Sequence, residues 1–284
     1  STFSGSVGFT YRLRWTIANS CNTSSDEVDI KFNTPTSIST PSVTTTYGST
    51  SVTFSATVSQ NPAGGSVDFY VNGSKVGSGT IDPTTGIATY NYNPAVLNAG
   101  SHTLYSTFSG FGNYNISTSA NTTLTVTPAP ATITLTGLAL TYNGSAQGAT
   151  ITTSPAGLAT NVTYAGSATV PSDAGSYPVV AVLNNSNYSA ANGTGTLVIA
   201  KKALTITAND KNRLYNIANP VLDGIITGAV PADGISATYA TTAILSSNIG
   251  TFPITATLND PNIKLANYTV SNNAGTLTIN PAPA

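Results

Sequence analysis

A short block of sequence recurs three times along this chain and constrains its fold more than any other feature. The copies span residues 99–104, 174–179 and 249–254, and their glycines at positions 100, 175 and 250 are 75 residues apart. Each copy is followed by an Asn-Tyr pair and then by a Leu-x-Val or Leu-x-Ile segment. A fixed period with the same landmarks predicts repeated small modules rather than one large domain.

The segments between the landmarks are typical of short β-strands. Residues 52–58 and 67–71 alternate apolar and polar side chains with a period of two, and so do the Leu-x-Val/Ile segments. Across the strand-like segments as a whole, Thr, Val, Ile and Tyr are frequent, as is typical of strands. Asn72-Gly73 between two such segments predicts a type I′ hairpin, because both central residues tolerate positive φ. No segment has a sustained helical period. Many short strands with regular turns predict β-sandwiches.

Short linkers rich in proline and alanine divide the chain. They follow each Leu-x-Val/Ile segment, as in residues 127–131 and 280–284, and residues 200–203 hold the same place between the other two modules. We therefore expect four parts: residues 1–34 as the C-terminal part of a truncated Ig/PKD-like domain, 35–128 and 129–201 as complete modules, and 202–284 as a module with the start of the next linker. We refer to them as the first to fourth modules.

The charge of the chain excludes several function classes. Charged residues make up 7% of the sequence, against about 25% in ordinary domains, and the net charge is −1. Nucleic-acid binding needs a basic patch, which this composition does not supply. No apolar segment approaches the roughly 18–20 residues of a membrane span, so we expect no membrane insertion of this segment.

The ring residue of each block is expected to be a structural corner. Residues 173–179 match the turn into strand F of immunoglobulin-like sandwiches, where a buried Tyr bonds back across the corner. The corner residues are His102, Tyr177 and Phe252. The position that holds Cys in antibodies is Leu104, Val179 or Ile254 here, so aliphatic packing is expected to replace the disulfide.

The tyrosines of the Asn-Tyr pairs are expected to be end plugs of the sandwiches. They are Tyr114, Tyr188 and Tyr268. A tyrosine ring buries a large apolar area while its hydroxyl stays in water. The alternative is that these rings stack on a sugar.

Three motif sets carry a family resemblance. Residues 41–127 resemble a bacterial Ig-like domain of group 3, through residues 43–48, 65–70, 99–102 and 108–114. Residues 131–201 and 203–282 resemble MBG repeats, through Tyr142-Asn143-Gly144, residues 162–164, the corner at 173–177, residues 208–211 and residues 275–279. The last module has Leu214-Tyr215-Asn216 where the MBG pattern usually shows Tyr-Gly.

The resemblance extends to residues 8–32, which are similar to the end of a repeat in large surface proteins of Bacteroidetes. Tandem repeats of these kinds occur in giant adhesins, including the gliding-motility type exported by the type IX route. The resemblance implies an all-β fold of tandem immunoglobulin-like β-sandwiches arranged as an extended array. It also implies an extracellular, cell-surface location without cofactors.

Little in the chain points to catalysis. His102 is the only histidine, so neither a Ser-His-Asp triad nor a multi-His zinc site can be built within the chain. Cys21, the only cysteine, has no nearby base, and a disulfide to a partner outside this chain is the expected role. Asp26, Glu27 and Asp29 form the one acidic cluster, expected to be a solvated strand face, with a weak calcium site as the alternative. We expect no enzyme, no cofactor and no metal site.

These observations favour a structural stalk segment of a large repetitive cell-surface adhesin, which supports surface attachment and gliding motility. Its partners are expected to be a surface polysaccharide or substratum, contacted through other parts of the parent protein, and outer-membrane anchoring or export machinery. One alternative is a glycan-binding module that uses exposed tyrosines or the loop at residues 108–114. Another is a set of spacer domains of a secreted hydrolase.

Overall fold

The computed structural model describes residues 2–283, and within that range the chain is all-β. It contains 26 strands and two short 3-10 helices. The strands are β1 (Thr10–Ala18), β2 (Thr23–Lys31), β3 (Ile38–Ser39), β4 (Val43–Thr46), β5 (Val52–Val58), β6 (Ser66–Val71), β7 (Ser74–Thr80), β8 (Ile87–Tyr92), β9 (Gly100–Phe108), β10 (Ser117–Thr118), β11 (Thr122–Thr127), β12 (Ala129–Pro130), β13 (Thr132–Thr136), β14 (Ala139–Thr141), β15 (Thr150–Ser154), β16 (Thr160–Tyr164), β17 (Gly175–Leu183), β18 (Tyr188–Ser189), β19 (Gly193–Ala200), β20 (Lys202–Ala208), β21 (Lys211–Leu214), β22 (Gly224–Thr227), β23 (Ser236–Thr241), β24 (Gly250–Asn259), β25 (Tyr268–Asn273) and β26 (Gly275–Asn280). The 3-10 helices are η1 (Pro231–Asp233) and η2 (Leu265–Asn267).

The described residues form two compact units. The first unit holds residues 2–130 together with the loop at 185–189, and the second holds residues 131–184 and 190–283. The loop at 185–189 belongs to the first unit because β18 pairs in parallel with β12 there.

The first unit begins with a hairpin and continues as a sandwich. β1 and β2 pair antiparallel from Thr10↔Lys31 to Ala18↔Thr23. The sandwich has one sheet in the order β4-β11-β9-β6-β7, with β10 on β9, and a facing sheet in the order β3-β5-β8. Its core fills the space between the two sheets with buried residues that include Phe54, Phe69 and Leu124.

The alternation in the sequence decides which side chains of this sandwich are buried. In β6 the residues Val67, Phe69 and Val71 are buried, while the residues between them are not. The β6–β7 hairpin turns at Asn72-Gly73, with φ of 49° and 81° at the two residues. The type I′ geometry expected from Asn-Gly is thereby confirmed.

The second unit contains two small sandwiches, the third and fourth modules. In the third module, β14-β19-β17-β16 form one sheet and β13-β15 the other. In the fourth module, β21-β26-β24-β23 form one sheet and β22-β20-β25 the other. A continuous buried cluster that includes Leu197, Val230 and Tyr268 joins residues of both modules. The third and fourth modules therefore share part of one hydrophobic core.

The aliphatic residues at the antibody cysteine position lie at the centre of each sandwich. Leu104 and Ile254 are 0% exposed and Val179 is 1% exposed. The expected replacement of a disulfide by aliphatic packing is confirmed.

The same parallel pair closes one edge of all three sandwiches. β4 pairs with β11, β14 with β19 and β21 with β26. The residue after each first strand is a tyrosine whose N–H donates to the carbonyl of the last residue of the partner strand. These bonds are Tyr47 to Thr127 (2.8 Å), Tyr142 to Ala200 (2.9 Å) and Tyr215 to Asn280 (2.8 Å). The three tyrosines therefore occupy equivalent positions.

The fourth module forms the tight turn after this tyrosine without the usual glycine. Asn216 has a φ of 62°, as Gly48 has 82° in the second module. The turn is closed by a hydrogen bond from Ile217 N–H to Leu214 O at 3.3 Å, as Ser49 N–H bonds to Thr46 O at 3.0 Å. Asparagine tolerates this left-handed conformation better than most residues with a side chain.

Candidate functional site: docking of the Asn–Tyr loops

Two of the three corner residues form a hydrogen bond with the backbone four residues back. Tyr177 Oη donates to the carbonyl of Asp173 at 2.9 Å, four residues back. His102 Nε2 lies 2.9 Å from the carbonyl of Asn98, also four residues back. A carbonyl can only accept, so Nε2 donates to Asn98 O, and Nδ1 accepts from Asn72 Nδ2 at 3.1 Å.

Phe252 takes the same position in the fourth module and has no polar atom for this bond. We call the residue before each block, together with the first residue of the block, the docking corner: residues 98–99, 173–174 and 248–249. The backbone N–H of the second residue in each docking corner is a donor that the block itself does not satisfy. The first residue of each docking corner, Asn98, Asp173 or Asn248, carries a side-chain oxygen close to this backbone N–H.

The loop at residues 185–189 binds the docking corner of the second module. Ala99 N–H donates to Asn187 Oδ1 at 2.7 Å, and Asn187 Nδ2 donates to Asn98 Oδ1 at 3.0 Å. The backbone carbonyl of Asn187 also accepts from Ala129 N–H at 2.9 Å. One asparagine amide thus satisfies a backbone donor and a side-chain acceptor of the corner at once.

The loop at residues 264–268 makes the same pair of bonds in the second unit. Ala174 N–H donates to Asn267 Oδ1 at 2.7 Å, and Asn267 Nδ2 donates to Asp173 Oδ1 at 3.0 Å. Lys264 Nζ also contacts Asp173 Oδ1 at 3.0 Å. The hydrogen bonds from Lys264 and Asn267 lower the pKa of the Asp173 carboxyl below its ordinary value. Asn267 is buried, so its amide is held in a defined position.

An edge-to-face pair of tyrosines accompanies each of these two bonded loops. The rings of Tyr188 and Tyr47 are 5.4 Å apart at 74°, and the rings of Tyr268 and Tyr142 are 5.5 Å apart at 77°. This arrangement is favourable because the edge of one ring meets the electron-rich face of the other. The loops at residues 185–189 and 264–268 therefore make the same hydrogen bonds and the same aromatic contact, each with its own docking corner and tyrosine.

A buried carboxylate lies beneath the tyrosine pair of the second unit. Asp233 is 4% exposed and accepts from Tyr268 Oη at 2.5 Å and from Tyr142 Oη at 3.1 Å. Tyr268 Oη in turn accepts from Val230 N–H at 2.8 Å. Burial, followed by the bond to Asp233, raises the pKa of Tyr268 to about 12, and burial also raises the pKa of Tyr142. The expectation that the end-plug hydroxyls stay in water is wrong for Tyr268.

The loop around Asn113 contacts the first hairpin through different atoms. Thr34 N–H donates to Asn113 O at 2.6 Å, and Asn113 Nδ2 donates to Gly8 O at 2.5 Å. Lys31 Nζ donates to Gly112 O at 2.7 Å. The ring of Tyr114 is half-buried against the core of the second module. All three Asn–Tyr loops thus bind residues of the module that precedes them in the sequence.

Three of the four modules match sequence models of known domain families. Residues 36–127 match the sequence model of the bacterial Ig-like domain (group 3). Residues 131–203 match that of the MBG domain, and residues 204–278 that of the MBG domain of YGX type. The chain carries Ig-like and MBG repeats in tandem. No curated protein sequence matches it.

Solved structures of tandem immunoglobulin domains are similar to the chain at low identity. Sidekick-1 immunoglobulin domains 1–5 match at 13% identity and a TM-score of 0.33, with 94% of this chain and 66% of that chain covered. The N-terminal eight Ig domains of Down Syndrome Cell Adhesion Molecule match at 10% identity and a TM-score of 0.26, covering 95% and 44%. The chain therefore spans less than two thirds of the length of either structure.

Within residues 2–283, no helix is long and apolar enough to cross a membrane.

In the acidic cluster that precedes the Ig-like domain, Glu27 and Asp29 are paired with arginines. Arg12 contacts Asp29 at 2.8 Å and Glu27 at 3.6 Å, and Arg14 contacts Glu27 at 3.8 Å. The register of β1 and β2 causes this, because Arg12 lies opposite Asp29 and Arg14 opposite Glu27. No group of three or more His, Cys, Asp or Glu in the described part of the chain has a metal-binding arrangement. Cys21 lies exposed in the turn between the two strands.

Three parts of the docking sites are not apparent from the sequence alone. The recurring Asn-Tyr pair was recognised for its tyrosine, although the asparagine recurs equally and makes the repeated hydrogen bonds. Tyr47 and Tyr142 could have been found because each lies in a segment that carries the family resemblance, residues 43–48 and 142–144. Asp233 belongs only to the second MBG domain and has no recurring counterpart that would single it out.

Proposed function

We propose that the chain is a structural stalk segment of a large repetitive cell-surface adhesin. The observation that carries this proposal is the repeated docking contact: Asn187 and Asn267 make the same two hydrogen bonds to successive docking corners. A stalk must hold each module in a defined orientation toward the preceding one. Within the second unit, the amide of Asn267 and the Tyr142–Tyr268 ring pair restrict the orientation of the fourth module toward the third more than a flexible linker does.

The Ig-like and MBG repeats support an extracellular location at the cell surface, because such domains are typical of surface proteins. We further propose that the parent protein is an adhesin of the Bacteroidetes gliding-motility type, exported by the type IX route. Its contacts with a surface polysaccharide or substratum are then made by other parts of the parent protein, and this segment has no catalytic role.

A length-replacement experiment in the producing cells tests the stalk function. Residues 35–284 are deleted in frame from the parent gene, and in a matched variant they are replaced by unrelated Ig-like domains of the same total length. Deletion is expected to lower surface attachment while the parent protein is still displayed, as measured with an antibody on intact cells. The length-matched replacement is expected to restore attachment. Loss of attachment in both variants at equal display would contradict a spacer role.

Glycan binding by the Ig-like domain is the alternative, and its expected aromatic groups are only partly available. The rings of Tyr70 and Tyr105 are parallel within 4° but stack on each other at 4.7 Å, so each covers one face of the other. Phe108 in the expected binding loop is 1% exposed, whereas Phe111 is 48% exposed. A glycan array probed with the whole chain separates the alternatives. Binding that is lost in Phe111→Ala would favour the glycan-binding function.

A further inference from the structure

The second MBG domain has its own docking corner, formed by Asn248 and Ile249. They are equivalent to Asp173 and Ala174 because the blocks align residue by residue around Gly250 and Gly175. Tyr215 is equivalent to Tyr142, since both donate N–H to the last residue of the parallel partner strand. The three groups that bind an Asn–Tyr loop elsewhere are therefore all present in this domain.

These groups lie at the same end of the domain. Gly250, next to the docking corner, pairs with Ile279 of β26. The following residue of β26, Asn280, accepts the hydrogen bond from Tyr215 N–H. Tyr215 and Ile249 thus flank the end of one strand, in the arrangement that Tyr142 and Ala174 have around β19.

In the second MBG domain these groups are exposed to solvent. Ile249 is 57% exposed and Tyr215 is 41% exposed, whereas the equivalent Tyr142 is 2% exposed. Within residues 2–283, Ile249 N–H and the side-chain amide of Asn248 have no hydrogen-bond partner, and the ring of Tyr215 has no aromatic partner. An exposed ring beside an unpaired donor and acceptor matches the set of groups that an Asn–Tyr loop satisfies in the two occupied sites.

We propose that Tyr215, Asn248 and Ile249 form a docking site for the Asn–Tyr loop of another Ig-like or MBG module in the same polypeptide. The asparagine of that loop accepts from Ile249 N–H and donates to Asn248 Oδ1. Its tyrosine ring packs edge to face on Tyr215. The proposal names a binding surface and its partner, and it does not depend on the adhesin function.

The linker indicates that the partner is joined covalently rather than supplied by a second copy. Residues 127–130 read Thr-Pro-Ala-Pro and residues 280–283 read Asn-Pro-Ala-Pro. In the first linker, Ala129 N–H donates to the carbonyl of Asn187, and residues 129–130 pair as a short strand with residues 188–189. Ala282 is equivalent to Ala129 and presents the same donor to an incoming loop.

The test extends the full chain after Ala284 by a second copy of residues 202–284, which brings its own Asn267 and Tyr268. Amide hydrogen exchange at Ile249 is the readout. This N–H forms a hydrogen bond only when an Asn-Tyr loop occupies the site, and a hydrogen-bonded amide exchanges more slowly. The amides of Ala99 and Ala174, which already donate to Asn187 and Asn267, are the internal references. We expect exchange at Ile249 to slow by about tenfold or more in the extended chain.

The matched control carries Asn267→Ala in the appended copy only, and it is expected to return exchange at Ile249 to the rate of the unextended chain. A second extension with residues 131–201, which carry Asn187 and Tyr188, covers the case in which the first copy does not fold. Unchanged exchange at Ile249 with a folded extension would overturn the proposal. So would slowing that persists in the Asn267→Ala control. The unextended chain could instead show slower exchange at Ile249 as the protein concentration rises, together with a doubled mass in sedimentation. That result would overturn the proposal by showing that a second copy binds the site.

Discussion

Asn267 Oδ1 accepts a hydrogen bond from the backbone N–H of Ala174 at 2.7 Å, although 93 positions of sequence separate the two residues. The amide nitrogen of the same side chain donates to Asp173 Oδ1 at 3.0 Å. Asn187 repeats both bonds with Ala99 and Asn98. In both cases the asparagine of an Asn-Tyr pair binds the docking corner of the module that precedes it in the sequence.

Removal of the docking amide should destabilise the second unit. Asn267→Ala deletes both hydrogen bonds and leaves the part-buried Ala174 N–H without a partner, while Asp173 keeps its contact with Lys264, and a cost of about 1–3 kcal/mol of unfolding free energy is expected. Urea unfolding followed by fluorescence or circular dichroism measures the loss. The matched control is Asn212→Ala, because Asn212 is an exposed strand asparagine. Equal effects of the two substitutions would contradict the docking role of Asn267.

The buried carboxylate of Asp233 should be required by the two tyrosines that donate to it. Asp233→Ala leaves the hydroxyls of Tyr142 and Tyr268 without an acceptor, and we expect a loss of about 2–4 kcal/mol. Asp233→Asn keeps one oxygen acceptor and the side-chain volume, so a smaller loss is expected. Thermal unfolding of both variants beside the parent chain gives the comparison. An alanine variant as stable as the parent would show that the hydroxyls find other partners.

The stability of the second unit should fall at alkaline pH. The pKa of Tyr268 is raised to about 12 in the folded chain, against about 10 for an unperturbed tyrosine. A raised folded-state pKa means that the stabilisation is fully present below pH of about 10 and is lost as the pH rises from about 10 toward 12. Tyr268→Phe should flatten this part of the stability curve, while Tyr215→Phe, at an exposed ring, should leave it unchanged. The measurement is the urea midpoint of each chain between pH 8 and 11.5. Parallel curves for the parent chain, Tyr268→Phe and Tyr215→Phe would refute the contribution of Tyr268.

Acid should weaken the ion pair at the docking corner. The pKa of Asp173 is lowered by its hydrogen bonds to Lys264 and Asn267, so its contribution is present above the unfolded value of about 3.9 and is lost as the pH falls below it. The pair is half-exposed, and a contribution of less than about 1 kcal/mol is expected. Asp173→Asn should lower the melting temperature at pH 7 and have a smaller effect at pH 3. An equal effect at both pH values would contradict the assignment.

Much of the fold could be predicted from the sequence because its determinants are local. The alternation in β6 puts Val67, Phe69 and Val71 on one face, and the Asn-Gly dipeptide favours the positive φ angles of the hairpin that follows. The corner at Tyr177 was recognisable because its hydrogen bond returns to a residue four positions back. The tight turn at Tyr215 was harder to predict, since Asn216 supplies the positive φ in place of glycine.

The sequence by itself determined the modules, their strands and the recurrence of the Asn-Tyr pairs, because each depends on residues close together in the chain. Only the tertiary structure decided what the pairs contact. The partner of Asn267 is a backbone amide, and every residue except proline carries the same amide group, so nothing in the sequence distinguishes that of Ala174. Likewise, Asp233 becomes a buried acceptor for Tyr142 and Tyr268 only once two folded modules bring the three side chains together.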